Sequence, residues 1–149
     1  MKIIHKNKKA SFDYEILDKF KAGIILLGSE IKSIRMNNIN LKGSYVSIQG
    51  KKATLKAAHI SRYAYDSSLD YDPFRDRQLL LNKSELEKIN RYLNTQGITV
   101  IPLLVILDGK YVKIQIGIAR GKKKHDKREA IKKRDQKRQI DRIIKAKIR

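Results

Sequence analysis

Apolar and polar residues alternate along much of the first 119 positions, which predicts a protein built mainly of β-strands. Phe12, Tyr14 and Ile16 recur at every second position and would share one face of a strand. An apolar run over 21–28, bracketed by glycines, fits a buried strand. Residues 18–21 lie between these two segments, so we expect a turn there.

Two further pairs of strand-like segments have the spacing of hairpins. Residues 43–50 and 52–60 are separated by a tight turn. Residues 98–107 and 110–119 are separated by Asp-Gly, a dipeptide that favours two-residue hairpin turns. In the last segment one face is apolar at every second position: Val112, Ile114, Ile116 and Ile118.

Two helices are predicted among the strands. Ser29 has the chemistry of an N-cap for one or two helical turns over 29–36. Ser84 and Glu87 have capping-box spacing, and Gly97 would close the helix that follows them. The apolar positions of this second helix have helical spacing: Leu86, Ile89 and Leu93.

These patterns predict a mainly β fold with about six antiparallel strands, one capped helix and one short helix. Evenly spaced antiparallel strands usually close into a small barrel or a sandwich, and we expect an OB-like closed barrel over residues 1–119. Pro102 inside a strand predicts an edge or a bulge. Residues 64–78 are polar and turn-rich, so we expect a mobile loop.

The last thirty residues differ in kind from the rest. The chain carries a net charge of +20, of which +11 lies in residues 120–149. Good helix formers dominate there, but an isolated helix is marginal and like charges repel. We therefore expect a separate basic tail that is disordered when free and helical when a polyanion neutralises it.

The charge makes nucleic acid the expected partner, since binding to a polyanion releases its counterions. An acidic membrane could use the same charge, but the globular body and the lack of an amphipathic helix with bulky aromatics argue against it. The longest apolar run, 100–107, is too short to span a bilayer. The chain contains no Cys, so we expect a cytoplasmic protein.

No enzyme signature is evident in the sequence, and we expect no catalytic residue, metal or cofactor. The three histidines, His5, His59 and His125, are scattered and lack metal-ligand spacing. The segment from Gly117 to Gly121 is one residue too short for a phosphate-binding loop.

Several polar residues of the body admit both a structural and a functional interpretation. Glu30 could complement a helix dipole, accept from a base amino group, or organise Lys32 and Arg35. Asn40 could equally fix a turn or touch RNA, and Asn82 could equally precede a helix or touch RNA.

Other candidates lie in the triplet 79–81 and in the tail. Leu80 points opposite to its two leucine neighbours, so it is either covered by a helix or an exposed apolar platform for a nucleotide. His125 is either a solvated side chain or a ring that stacks on a base. Asp126 has the spacing of an N-cap with Glu129 and would then define where the tail helix begins.

Five segments in this order resemble the SsrA-binding protein family, the partners of transfer-messenger RNA. They are "GSEIKSIR" (28–35), "NLKGSY" (40–45), "DPFRDRQLLLN" (72–82), "IPLLVIL" (101–107) and "GIARGKKKHDKR" (117–128). The resemblance runs from about residue 7 to the end.

The resemblance implies a function in ribosome rescue. A family member has an OB-like barrel that binds the tRNA-like domain of transfer-messenger RNA, and the complex enters stalled ribosomes. The tail becomes helical in the empty mRNA path and acts in the decoding centre, against small-subunit rRNA. Elongation factor Tu is implied in the delivered complex, and the chain is expected to act as a monomer without a membrane partner.

The resemblance also implies which residues carry this function. The family's motifs place RNA contacts in the barrel at six residues: Asn7, Lys8, Glu30, Asn40, Leu80 and Asn82. We expect further RNA contacts from four basic residues: Lys32, Arg35, Arg75 and Arg77. The working residues of the tail are expected to be Gly121, Lys122, Lys123, His125, Asp126, Lys127 and Arg128.

The chain departs from the family pattern at four places. Phe12 and Tyr71 stand where His is usual, Gly43 where Asp is frequent, and Gln78 where Lys is frequent. Gln78 removes one cation beside the leucine triplet.

Two other functions are compatible with the basic charge. A ribosomal protein could thread the tail through rRNA and stay on one subunit. A general single-strand-binding OB protein is less well supported, because Trp is absent and Tyr45 and Tyr111 are not obviously on one face.

Overall fold

The computed structural model describes residues 1–66, 70–122, 134 and 136–139. Nine strands lie in the described part of the chain: β1 (Lys2–Lys6), β2 (Tyr14–Ile24), β3 (Ile39–Asn40), β4 (Tyr45–Gln49), β5 (Lys52–Lys56), β6 (His59–Ile60), β7 (Arg77–Leu80), β8 (Ile98–Asp108) and β9 (Tyr111–Gly121). Its helices before residue 123 are α1 (Lys8–Asp13), α2 (Gly28–Arg35) and α3 (Lys83–Leu93).

Six of these strands close into a ring. Their hydrogen-bonded order is β8–β4–β5–β7–β2–β9 and back to β8, and every pairing is antiparallel. Strand β1 adds to β8 outside the ring, and β3 pairs with β6 in a separate two-stranded sheet. The predicted OB-like closed fold of about six strands is therefore confirmed, although the two strands predicted on either side of residues 18–21 are one strand, β2. Strands β1 and β7, the β3–β6 pair and α1 were not predicted.

The main core lies inside the ring and follows the apolar alternation of the sequence. Ile114, Ile116 and Ile118 of β9 are fully buried, as predicted, and Ile89 of α3 packs into the same cluster. A second, smaller cluster lies on the other face of β8 and β9, where Ala10 of α1 covers Ile101, Leu103 and Ala119. The short α1 thus closes a part of the sheet that would otherwise expose apolar residues.

Pro102 produces a bulge, as its position in a strand predicts. The β8–β9 register shifts between Pro102 and Leu104. Strand β8 is not an edge strand, because its other side pairs with β4 at Val100 and with β1 at residues 104–107. The bulge bends one long strand so that it serves two neighbours.

The turn expected at residues 18–21 is wrong. Strand β2 runs without interruption through this segment and pairs with β9 from Tyr14 to Gly23, with a register shift between Ile16 and Asp18. Long antiparallel pairing to β9 therefore overrides the local turn preference of the polar residues. Phe12 was also misassigned, since it lies in α1 rather than in a strand.

Both predicted helices exist, but their caps differ from the prediction. The N-cap of α2 is Leu27, not Ser29, and Glu30 Oε1 accepts a hydrogen bond from Leu27 N. The N-cap of α3 is Asn82, whose side chain accepts from Glu85 N while the Glu85 carboxylate accepts from Asn82 N. The capping box that forms is therefore Asn82 with Glu85, which begins two residues before the predicted pair of Ser84 and Glu87.

Two other boundaries differ from the prediction. Helix α3 ends at Leu93, and Gly97 adopts a left-handed φ of 83° in the turn that leads into β8. Strand β7 begins at Arg77, so the loop expected over 64–78 ends two residues earlier, at residue 76.

Replacing Ile89 by Ala should destabilise the protein by about 2–5 kcal/mol, because the side chain is fully buried and its loss leaves a cavity. Urea denaturation at fixed salt measures the change. Lys88→Ala, at an exposed position on the same helix, should change the free energy of unfolding by less than about 0.5 kcal/mol. Equal effects of the two substitutions would show that α3 does not anchor the core.

Candidate nucleic-acid interface

The buried carboxylate of Glu30 accepts hydrogen bonds that hold together the part of the ring around β7. Glu30 lies in the first turn of α2 and is only 1% exposed. Its Oε1 accepts from Leu27 N at 2.9 Å and from Arg75 Nη2. Its Oε2 accepts from Arg77 Nε at 2.8 Å and from Arg77 Nη2, and lies 3.1 Å from the Tyr71 hydroxyl. Both carboxylate oxygens are therefore occupied by protein donors.

The guanidinium of Arg77 extends this network to the preceding loop. Arg77 is fully buried at the start of β7. Its Nη1 donates to Ala58 O at 2.8 Å, and its Nη2 donates to Pro73 O at 3.1 Å. The Tyr71 hydroxyl also lies 2.8 Å from Ile60 O. The cluster of Glu30, Arg77 and Tyr71 thus fastens the 70–76 loop to α2 and to the segment between β5 and β6.

The charges of this cluster determine its protonation. Burial alone would raise the pKa of Glu30, but the hydrogen bonds from Arg75, Leu27 N and Arg77 outweigh it, so the pKa lies below its ordinary value. Burial and the neighbouring Glu30 charge raise the pKa of Tyr71. At neutral pH the cluster therefore combines an ionised carboxylate with a neutral phenol that can donate.

The hydrogen-bond partners of Glu30 show which of the roles suggested by the sequence its carboxylate has. Glu30 is an organiser, but of Arg75 and Arg77 rather than of Lys32 and Arg35. Lys32 and Arg35 are both exposed, and Lys32 Nζ lies 5.3 Å from the ring centroid of Tyr63. The parts of Glu30 and Arg77 in RNA binding stay predictions, and their burial makes them indirect ones.

Leu80 forms an exposed apolar platform on the outside of the ring. Its side chain is 53% exposed, whereas Leu79 is 3% exposed, so the interpretation that a helix covers Leu80 is wrong. Leu80 pairs with Gly23 of β2, where an added Cβ would lie 3.3 Å from Leu80 Cβ. Ile25, two residues beyond Gly23, is 49% exposed. An unpaired base could lie flat on this apolar surface.

Polar residues continue this outer face across β7, β5 and β4. Arg75 and Gln78 line a groove of ≈ 470 Å³ together with outward-facing residues of the two other strands: Ser47, Gln49, Lys52, Thr54 and Lys56. Sequence analysis did not select these last five residues. Their only signal was their place at the polar positions of alternating strands, which they share with any solvated sheet face.

Three predicted asparagines make structural hydrogen bonds. Asn82 caps α3, and Asn40 Oδ1 accepts from Lys42 N at 2.9 Å in a local turn. Asn7 is 8% exposed, and its Nδ2 donates to Pro102 O at 2.9 Å while its backbone N donates to Leu103 O at 2.8 Å. Asn7 therefore satisfies the carbonyls that the β8 bulge releases, and the neighbouring Lys8 is exposed.

The base of the tail is attached to α1. Lys122 N donates to Asp13 O at 3.0 Å, and Lys122 Nζ donates to Ser11 O at 3.2 Å. Gly121 still belongs to β9. The other predicted working residues of the tail lie outside the described residues: Lys123, His125, Asp126, Lys127 and Arg128.

A further part of the tail is described and is helical. It comprises residues 134 and 136–139, and the Arg134 guanidinium lies 5.2 Å from the ring centroid of Phe12 in α1.

Neither a membrane-spanning helix nor a cluster of metal ligands lies in the described residues. No helix there is long and apolar enough to cross a membrane. The same residues contain no group of three or more His, Cys, Asp or Glu side chains that could hold a metal ion.

Comparisons with known proteins agree with one another. The family model described as SmpB protein matches residues 4–146. An SsrA-binding protein of Enterococcus hirae is 45% identical over 144 residues, covering 97% of this chain and 94% of the relative. An SsrA-binding protein of Bdellovibrio bacteriovorus is 46% identical over 133 residues, covering 89% of this chain and 88% of the relative.

A solved structure is similar as well. It is described as "tmRNA-SmpB: a journey to the center of the bacterial ribosome", with a TM-score of 0.69 and 35% identity over 87% of this chain and 94% of that chain. The closed ring of strands and the net charge of +20 define a small, strongly basic OB-like protein. The chain belongs to the SmpB family of SsrA-binding proteins.

Replacing Glu30 by Gln leaves the buried Arg77 without its counter-charge, and we expect a loss of about 3–5 kcal/mol in the free energy of unfolding near neutral pH. The folded-state pKa of Glu30 is depressed, so the carboxylate stabilises the fold fully above the unfolded pKa of about 4.3. This stabilisation is lost as the pH falls through the lower folded value. The difference between the wild type and the variant should therefore shrink below about pH 4.

Urea denaturation across pH tests this expectation, with Glu87→Gln on the exposed face of α3 as the control. A penalty at neutral pH no larger than that of the control would contradict a structural role for the Glu30 carboxylate. A penalty that stays constant in acid would contradict the depressed pKa.

Proposed function

We propose that this protein is an RNA-binding adaptor that binds the tRNA-like domain of transfer-messenger RNA and delivers it to stalled ribosomes. Membership of the SsrA-binding family and the likeness to a tmRNA–SmpB structure support this function. One observation supports placing the body's contact surface around Leu80. Leu80 turns a large apolar side chain to solvent, whereas the preceding Leu79 is buried.

The wall around Leu80 suits RNA in both chemistry and rigidity. Leu80 and Ile25 offer an apolar surface to a base, while Lys52, Lys56 and Arg75 offer cations to phosphates. Asp76 lines the same groove, and its Oδ2 lies 4.0 Å from Lys56 Nζ. The buried Glu30 cluster holds Arg75 at the edge of this wall. In this proposal Glu30, Arg77 and Tyr71 act as positioning residues, and Leu80 and Arg75 make the contacts.

The exposed candidates supply the remainder of the surface. Lys32 and Arg35 extend the positive charge along α2, and Lys8 and Asn40 place further polar groups at α1 and β3. Asn82 contributes mainly by fixing the start of α3 directly after the leucine triplet. Asn7 acts by holding the β8 bulge.

The tail is proposed to work on the ribosome rather than in the first RNA contact. It enters the empty mRNA channel as a helix, where His125 can stack on a base and the lysines and arginines meet small-subunit rRNA phosphates. Asp126 orders the start of that helix. Strand β9 runs to Gly121 and Lys122 is bonded to α1, so the base of the tail is fixed to the body, and Arg134 further along the tail lies against Phe12 of the same helix.

The remaining assignments follow from this function. Elongation factor Tu is proposed as a partner in the delivered complex, and the protein acts there as a cytoplasmic monomer without chemistry of its own. A ribosomal protein with a basic extension is the main alternative. Constant association of the protein with one ribosomal subunit, independent of stalling, would favour this alternative. The similar proteins named above are SsrA-binding proteins, which favours the adaptor function.

A chain that ends at Lys122 should retain most of its affinity for the tRNA-like domain and lose tagging of stalled products. The body keeps every strand of the ring, while the part proposed to act in the mRNA channel is gone. Electrophoretic mobility shift measures binding, and a reconstituted translation assay measures tagging. Normal tagging by the shortened chain would refute the division of labour.

Replacing Leu80 by Ala should weaken binding to the tRNA-like domain by about five- to thirtyfold, because a base loses its apolar contact. The free energy of unfolding should change little, since the side chain is half exposed in the free protein. Leu17→Ala is the matched control, because Leu17 is also an exposed leucine. It lies near the start of β2, whereas Gly23, the partner of Leu80, lies near the end of that strand. Equal losses of affinity in the two variants would show that Leu80 is not at the interface.

A further inference from the structure

The tail contacts the last turn of helix α1 at two separate points. Lys122, the residue that follows β9, donates through its backbone N to Asp13 O at 3.0 Å and through Nζ to Ser11 O at 3.2 Å. Further along the tail, the Arg134 guanidinium lies 5.2 Å from the ring centroid of Phe12. Because Phe12 lies between Ser11 and Asp13 in α1, both contacts fall on the same part of the body.

The carboxyl end of α1 attracts positive charge for three reasons. The last carbonyl groups of a helix have no partner within the helix, and they carry the negative end of its dipole. Ser11 O and Asp13 O are two of these carbonyls, and Lys122 donates to both. The Asp13 carboxylate adds a formal negative charge. The face of the Phe12 ring carries the negative part of an aromatic quadrupole, which attracts a guanidinium.

The aromatic part of this contact is a feature of this chain. Phe12 stands at one of the places where the chain departs from the family pattern, in which His is usual. A His at this position could take up a proton and would then repel Arg134. The Phe12 ring is half-buried and stays neutral at every pH, while Arg134 remains exposed. The guanidinium therefore keeps its contact with water while it lies on the ring, and the contact can form and release reversibly.

The two contacts flank the predicted working part of the tail. In chain order, residues 123–128 follow Lys122 and precede Arg134. A phosphate oxygen accepts charge-assisted hydrogen bonds from a guanidinium, and these are stronger than a cation–π contact at an exposed site. A dense row of phosphates can therefore take Arg134 from Phe12, whereas an isolated or poorly placed anion has to compete with the ring.

We propose that the tail docks on α1 in the free protein, with the Arg134 guanidinium on the Phe12 ring, and that a polyanion undocks it. The apparent affinity of the tail for a polyanion is then reduced in proportion to the fraction of undocked molecules. An exposed cation–π contact changes such an equilibrium by about two- to fivefold. The proposal goes beyond the adaptor function, because it concerns the protein before it meets any RNA.

Paramagnetic broadening in the full chain measures the docking directly. The chain contains no Cys, so Gln136→Cys gives one attachment point for a nitroxide, in the helical part of the tail. The nitroxide should broaden the amide signals of α1 and spare those of residues 108–111, at the other end of β9 from Lys122. Phe12→Ala should remove most of this broadening, and Phe12→Tyr should keep it because the ring is retained. Equal broadening of α1 in the wild type and Phe12→Ala would overturn the proposal.

A second pair of variants acts on the tail and leaves the half-buried ring in place. Arg134→Gln should reduce the broadening of α1 as Phe12→Ala does. Arg138→Gln removes the same charge one helical turn further along and should leave the broadening unchanged. Equal losses in the two arginine variants would show that total charge holds the tail against the body, and would refute the specific contact between Arg134 and Phe12.

Titration with poly(uridylate) tests the release. Saturating poly(uridylate) should remove the broadening of α1 in the labelled protein, because phosphates replace the ring as the partner of Arg134. Phe12→Ala keeps every cation of the chain and should bind poly(uridylate) about two- to fivefold more tightly than the wild type. Broadening that persists at saturation, or equal affinities of Phe12→Ala and the wild type, would contradict the competition between the ring and the phosphates.

Discussion

The ion pair between Glu30 and Arg77 is the interaction on which the arrangement of the ring around β7 depends. Both side chains are almost completely excluded from solvent. The free-energy cost of removing each charge from water is offset only while its partner is present. Through this pair the first turn of α2, the 70–76 loop and the start of β7 are held in one arrangement. Such a pair adds little net stability compared with apolar packing, but it specifies a geometry, and that geometry places Arg75 and Leu80 at the surface.

The three long strands β8, β9 and β2 connect the part of the ring around β7 to the other end of the molecule. Each is 11 residues long, and they pair with one another over most of their length. One end of β2 meets β7 beside Leu80, while the other meets the base of the tail at Gly121. The body can therefore present one surface to an RNA and direct a basic tail from a site roughly 30 Å away along the strand.

Much of the fold could be predicted because its signals are local. The alternation in β9 and the Asp-Gly turn specify the β8–β9 hairpin, and Pro102 specifies a bulge because it lacks a backbone donor. The predictions failed where residues far apart in sequence decide the outcome. Residues 18–21 look like a turn, yet β9 pairs with them. Ser29 looks like a cap, yet Glu30 is turned inward by two arginines more than forty residues away.

The sequence by itself determined the class of protein: a mainly β body, a charge of +20 concentrated toward the C-terminus, and motifs that identify the family. Only the tertiary structure decided which of these residues face solvent. The Leu80 side chain is exposed and the Arg77 side chain is fully buried, although both residues lie on the four-residue strand β7. The physical reason is that composition sets the total charge and apolar area of a chain, whereas closure of the ring sets which side of each strand is removed from water.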